Sequence, residues 1–185
     1  MKKILVPIAD GCEEIETLTI IDVARRAGGD VTSASIMPGR TWVEASRGVK
    51  LEADIELLDC PDIEWDLIAL PGGLPGAEHL QHCEALIELI KRQLHEGRLL
   101  AAICASPLMV LGRNGLIGTR TVTCYPSFQM ELSKCAHQVS TDRVVVDGNL
   151  VTSQGPGTSI EFSLELVSLL YGDGKAKEIS AELVF

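Results

Sequence analysis

One thiol, Cys104, closes the apolar run "LLAAIC" and is followed by "ASP" (Ala105, Ser106, Pro107). An apolar strand handing over to a helix with proline in its first turn makes a sharp corner. A cysteine at that corner has the geometry of a nucleophile elbow with sulfur in place of oxygen. The positive end of the helix dipole and its free N–H groups would favour thiolate there. Cysteine is also among the most buried residue types, so a core-filling Cys104 is the competing reading. A second loop, "LPGG", offers Gly72 and Gly73. Glycines let backbone N–H groups approach a ligand closely, as an oxyanion hole requires; a tight turn is the plainer reading. A third loop, "ADGCEEIE", carries Glu13, Glu14 and Glu16. Asp10 and Glu13 have capping-box spacing, which gives Glu13 a structural task, and Glu14 reads as a solvated first-turn charge. Glu16 beside a thiolate would have to keep its proton. Thiol and carboxyl would then share one proton and titrate as a unit, the carboxyl serving as acid or base.

The remaining candidates are weaker. Cys12 lies in the same loop as the glutamates, Cys83 on an apolar helix face, and Cys60, Cys124 and Cys135 have no partner signature. No CxxC pair and no zinc-finger spacing exists, so no metal is expected. His79 and His82 have helical i, i+3 spacing, while His95 and His137 fall in polar stretches, and none follows a strand end. Thr158 and Glu161 have capping-box spacing after a Gly-Pro-Gly turn. Arg47, in "SRG", is a hairpin-turn charge or an anion handle.

The elements that must position these residues alternate between strand and helix. "KKILVPI", "DVTSASI", "DLIAL", "RLLAAIC", "TVTC", "RVVVDG" and "LVTSQ" read as strands, and "TWVEAS" and "VKLEADIEL" as a pair joined by "SRG". The stretch from Cys12 to Gly29 predicts a helix with Ile15, Leu18, Ile21 and Ala24 on its buried face. Pro75 to Gly97 predicts one helix burying Leu80, Cys83, Ile87, Ile90 and Leu94. "ASPLMVLGRNG" is a further helix. "TSIEFSLELVSLLYG" is nearly all apolar and is expected to be deeply buried, and "KAKEISAELV" is a last short helix. This alternation indicates an α/β fold with a parallel sheet covered on both faces, as a single domain over residues 1–185. In such sheets ligands bind outside the carboxyl ends of the strands, where the three loops lie.

Composition narrows the function. Hydrophobic residues make up 46 % and aromatics 4 %, so the core must be aliphatic. A net charge of −10 repels polyanions and argues against nucleic-acid binding. "MKKILVPIADG" reads as a first strand rather than a signal peptide, no stretch is long enough to span a membrane, and six reduced thiols in a cytoplasmic protein are expected. The first loop carries acids where a dinucleotide-binding fold needs GxGxxG, and neither a P-loop nor GxSxG is present.

Taken together, "GCEEIET", "DVARRAGGDVT", "SRGVKL", "DLIALPGG", "AAICASP" and "TSQGPGTSIEF" resemble, in order and spacing, the ThiJ/PfpI superfamily. The resemblance covers essentially the whole chain and is strongest to the parkinsonism-associated deglycase branch with its bacterial YajL-like members. It implies a flavodoxin-like three-layer α/β/α sandwich with a mostly parallel central sheet, forming a homodimer. It implies Cys104 as the oxidation-prone nucleophile, Glu16 as the glutamate hydrogen-bonded to it, and Gly72, Gly73 and Ala105 as an oxyanion-type pocket. It implies cofactor-independent glyoxalase III-type or deglycase action on small 2-oxoaldehydes or glycated proteins, or, alternatively, a non-enzymatic redox-sensing chaperone that uses oxidation of Cys104. Several members carry a His-Pro dipeptide near the cysteine where this chain has Tyr125-Pro126. A Cys-His-Glu protease triad is therefore not expected, and Tyr125 is left to donate a hydrogen bond or wall the pocket. A phenol with a pKa of about 10 is a poor base at neutral pH.

Overall fold

The computed structural model describes residues 1–185. β1 (Lys3–Ile8) leads through α1 (Glu14–Arg26) to β2 (Asp30–Ser35). The hairpin β3 (Trp42–Glu44) and β4 (Lys50–Glu52) precedes β5 (Ile55–Glu56), β6 (Leu67–Leu70), α2 (Gly76–His82) and α3 (Glu84–His95). β7 (Leu99–Ile103) runs into a π-helix (Pro107–Gly112), followed by β8 (Thr121–Val122), α4 (Gln129–Leu132) and β9 (Gln138–Val139). β10 (Val144–Asp147), β11 (Leu150–Ser153), α5 (Ser159–Tyr171) and α6 (Asp173–Glu182) complete the chain.

Seven strands form the central sheet in the order β10-β11-β7-β6-β1-β2-β5, parallel throughout except for β10 against β11. Helices cover both faces, α1 packing on α5 and α5 on α6, while α2 packs on α3 and on the π-helix. This is the flavodoxin-like three-layer architecture. All of β1 after Lys3, β6 entire and β7 after Leu99 are buried, as apolar strands covered on both faces must be. Because β11, β7, β6 and β1 are neighbours, the loops leaving their carboxyl ends converge on one spot.

Four local expectations need correction. In α1, Ile15 and Leu18 are 56 % and 48 % exposed, whereas Glu16, Thr17, Ile20 and Val23 face the core. The helix is rotated so that the Glu16 carboxyl meets the Gly72 N–H inside, and Thr17 follows it with its hydroxyl bonded to its own helix at the Glu13 carbonyl. The helix expected from Pro75 to Gly97 breaks at Cys83, whose ψ of 95° leaves the helical region and caps α2 and α3 alike. α5 is only half buried, with Leu169 exposed, because it lies between the sheet and α6 rather than in the centre. "TVTC" contributes only β8, which pairs in parallel with β9 outside the main sheet.

Candidate active site

Cys104 stands between the end of β7 and the π-helix with φ +65°, a left-handed conformation rare for a residue with a side chain. The turn is clamped from three sides. The Cys104 N–H donates to Ser153 O at 3.0 Å, and the Cys104 carbonyl accepts from the Tyr125 N–H at 2.9 Å. The Ser106 hydroxyl donates to Pro71 O at 2.5 Å. Strain of this kind persists only where the surroundings over-determine it. The following helix is wider than expected, with Arg113 N–H bonded to the carbonyl of Leu108, five residues back.

Gly72 and Gly73 lie directly against this turn. A Cβ on Gly72 would sit 2.6 Å from the Cys104 Cβ, so only glycine permits the approach. The backbone N–H groups of Gly73 and Ala105 lie close enough to the sulfur to favour its anion. The Gly72 N–H, in contrast, donates to Glu16 Oε2 at 2.8 Å. Gly72 is thus committed to holding the glutamate, which corrects its expected place among the oxyanion donors; Gly73 and Ala105 remain.

Glu16 is completely buried, its Oε1 has no hydrogen-bond partner, and the Cys104 thiol lies beside the carboxyl group. Burial raises its pKa to about 7, despite the Gly72 and Cys104 hydrogen bonds, and the nearby charge of Glu13 adds to the rise. Burial also pushes the Cys104 thiol up, and the Glu16 charge pushes it further, against the pull of the Gly73 and Ala105 N–H groups. Helix N–H groups alone therefore do not make the thiolate. The pair cannot carry two negative charges in this dry corner and holds one proton between its members. With that proton on Glu16, the sulfur gains an O–H donor beside its two N–H donors.

This coupling predicts a pH effect on stability. Folded Glu16 keeps its proton up to about pH 7, while an unfolded glutamate loses it near 4.3. The folded state therefore binds more protons between these values, and the contribution of Glu16, complete below about pH 4.3, is lost as pH rises through 7. Glu16→Gln keeps an acceptor for Gly72 and removes the charge. It is expected to raise stability at pH 8 by on the order of 3 kcal/mol and to change it little at pH 4, as read by urea unfolding at the two pH values.

The acidic loop is built differently from the capping-box reading. Glu13, not Asp10, caps α1: its Oε2 accepts the Glu16 N–H at 2.8 Å. Asp10 instead pairs with the guanidinium of Arg40 and accepts the Glu44 N–H at 2.9 Å, and Arg40 lies 4.2 Å above the ring of Trp42. Glu14 is buried rather than solvated, and its carboxylate accepts the Ser46 hydroxyl at 2.8 Å and the Arg47 N–H at 2.5 Å. Those hydrogen bonds hold its pKa below the usual carboxylate range. Asp10 and Glu14 thus dock the β3–β4 hairpin onto the first loop and bring Arg47 to the site.

The outcome is a cavity of about 330 Å³ lined by Glu13, Arg47, Gly73, Cys104, Ala105 and Tyr125, among others. Tyr125 is 43 % exposed and packs a ring edge over Gly155, forming a wall. Glu13 is the residue whose place in the site sequence reasoning missed; its position three residues before Glu16, in the same loop, was the available signal. Thr158 does not cap α5; its hydroxyl serves the Gly155 turn, and Glu161 pairs with Arg143. Cys12 is buried away from the cavity, with burial pushing its thiol up to about 11. His79, His82 and Cys83 border a separate cleft beside Met37.

Residues 2–169 match the DJ-1/PfpI family model. The chain belongs to the DJ-1/PfpI family. Within it, the chain is 48 % identical over 183 residues to Arabidopsis thaliana protein DJ-1 homolog B; the match covers 99 % of this chain but only 41 % of that protein's length. It is 35 % identical to the Caenorhabditis elegans glutathione-independent glyoxalase DJR-1.2, with 95 % of this chain and 91 % of the worm protein covered. The solved structure of oxidized Toxoplasma gondii DJ-1 superposes with a TM-score of 0.94 at 40 % identity, covering 100 % and 99 % of the two chains. The DJ-1 fold thus accounts for the whole chain, and no helix of it is long and apolar enough to cross a membrane.

Proposed function

We propose that this protein acts on small 2-oxoaldehydes, or on their early adducts with proteins, by covalent catalysis at Cys104. The observation that carries the proposal is the strained Cys104 turn beside the fully buried Glu16, at a cavity that Gly73 and Ala105 also line. The glyoxalase name of the worm relative supports the substrate class.

In this scheme the Cys104 thiolate attacks the aldehyde carbon, forming a C–S bond. The developing oxyanion lies near the Gly73 and Ala105 N–H groups and takes the Glu16 proton to give a hemithioacetal. Glu16, now a carboxylate, removes the hydrogen from that carbon and delivers it to the adjacent one. The hydroxyl proton of the first carbon ends on the oxygen of the second. The product of this step is a 2-hydroxyacyl thioester on Cys104, and water releases the hydroxy acid. Arg47 offers a cation at the cavity mouth, and Tyr125 bounds the space open to the substrate. The test is lactate formation from methylglyoxal by the purified protein; absence of lactate contradicts the reading.

Arg47 owes its position to Glu14. Glu14→Ala is expected to raise KM for methylglyoxal about fivefold with little change in kcat, measured by steady-state kinetics.

A second reading has one observation in its favour. The two N–H groups placed for an oxyanion would also hold the oxygens of a Cys104 sulfinate, as a redox-sensing chaperone would require. Suppression of client aggregation that depends on peroxide, in a protein without turnover, distinguishes it. A homodimer is also proposed, supported by the outward-facing Ile15 and Leu18 of α1.

A further inference from the structure

Two carboxylates attend the thiol, and they differ in access. Glu16 has no exposed surface; the Gly72 N–H holds its Oε2, and its buried Oε1 has no hydrogen-bond partner. It can move a proton on a group bonded to the sulfur, but it cannot meet a water molecule arriving through the cavity. Glu13 is 9 % exposed, yet it lines the same cavity as Cys104. Its Oε2 is fixed by the Glu16 N–H, its backbone N–H donates to Gly72 O at 3.1 Å, and its carbonyl accepts from the Thr17 N–H and hydroxyl. Oε1 alone accepts no hydrogen bond from the protein. A helix cap needs one oxygen; the other is left without a protein partner on a residue that lines the cavity.

We propose that Glu13 is the general base of the hydrolytic half-reaction, taking a proton from the water that releases the hydroxyacyl group from Cys104. This inference rests on the covalent reading above. In the step, one water O–H bond breaks and its proton goes to Glu13 Oε1. The water oxygen bonds to the thioester carbon, and the tetrahedral oxyanion faces the Gly73 and Ala105 N–H groups. Collapse of that intermediate breaks the C–S bond, and the electron pair returns to Cys104 sulfur beside Glu16. The hydroxy acid departs as its carboxylate, its acid proton restoring the single proton of the Cys104–Glu16 pair, and the proton on Glu13 leaves with solvent. No oxidant, reductant or further reactant is required. Labour is divided by burial: Glu16 serves the steps that exclude water and Glu13 the step that consumes it. The cap also sets the geometry, because the same carboxylate that begins α1 fixes the backbone of the residue that guards the thiol.

The test is Glu13→Gln, which keeps an amide oxygen to accept the Glu16 N–H and loses the base. With methylglyoxal, the variant is expected to acylate Cys104 and then stall, with kcat down about 10²-fold. Peptide mass spectrometry after acid quench would find the adduct on Cys104, and hydroxylamine, which needs no base, added once free methylglyoxal is removed, would release it as a hydroxamate, as only an acyl thioester does. Glu13→Asp, whose shorter side chain cannot both cap and reach, is expected to accumulate the same adduct. Wild-type turnover in Glu13→Gln overturns the inference, as does a loss of turnover without an adduct in a variant whose unfolding curve matches wild type. Failure of the wild-type protein itself to form an adduct or lactate would instead remove the covalent reading and this inference with it.

Discussion

Cys104→Ser is expected to lower methylglyoxal turnover by about 10³-fold or more while leaving the fold intact. The reason lies in the pair rather than in the thiol alone. A serine hydroxyl cannot yield its proton to Glu16, whose own pKa is only about 7. The proton that Cys104 and Glu16 share would stay on the serine, and no nucleophile would form. No histidine lines the cavity to replace Glu16 as base. Serine should fit sterically, since the φ of +65° and the three backbone and hydroxyl clamps are independent of the atom at the γ position. Turnover measured as lactate production, with unfolding curves for both proteins, checks the prediction. A serine variant with more than a tenth of wild-type activity would contradict it.

Gly73→Ala is expected to cost about 3 kcal/mol or more of stability and to abolish turnover. Gly73 has φ +87°, strained for any L side chain, and its added Cβ would collide with the Gly11 carbonyl and lie 2.5 Å from the Glu13 backbone nitrogen. Neither neighbour can yield, because Gly11 N–H is bonded to Glu44 O and Glu13 N–H to Gly72 O. The substitution would therefore push apart the first loop and the "PGG" turn, separating Glu13 and Glu16 from Cys104. Urea denaturation reads the stability loss. Gly28→Ala provides a comparison: φ is similar at +86°, but a Cβ there meets nothing within 4 Å, so only the backbone strain applies.

These two sites also show which parts of the molecule the amino-acid order makes legible. The runs around Ile4–Ile8, Leu67–Leu70 and Leu99–Ile103 are apolar without alternation, which only a sheet covered on both faces accommodates. Their carboxyl ends then place Gly73, Cys104 and the acidic loop together by topology. Positions that depend on side-chain hydrogen bonds were harder to read. Apolar periodicity picks Ile15 and Leu18 as the inner face of α1, but Glu16 goes inside, where the Gly72 N–H meets its carboxyl, and Thr17 goes with it. Asp10 has the spacing of a cap, yet an arginine thirty residues on claims it. Glu14 resembles a surface charge until the hairpin turn folds over it. Nothing local marks the break at Cys83, where both neighbouring segments favour helix. The Gly72 N–H belongs to Glu16 rather than to an oxyanion, and only the distance between them reveals it.

The account turns on a covalent intermediate at one of six cysteines. Its most direct test is to incubate the wild-type protein with methylglyoxal, quench with acid during turnover, and map all six cysteines by peptide mass spectrometry while lactate is measured in parallel. The account predicts an acyl group on the Cys104 peptide, none on the other five, and steady lactate release. Lactate formed with Cys104 unmodified and dispensable, or no lactate at all, would contradict it.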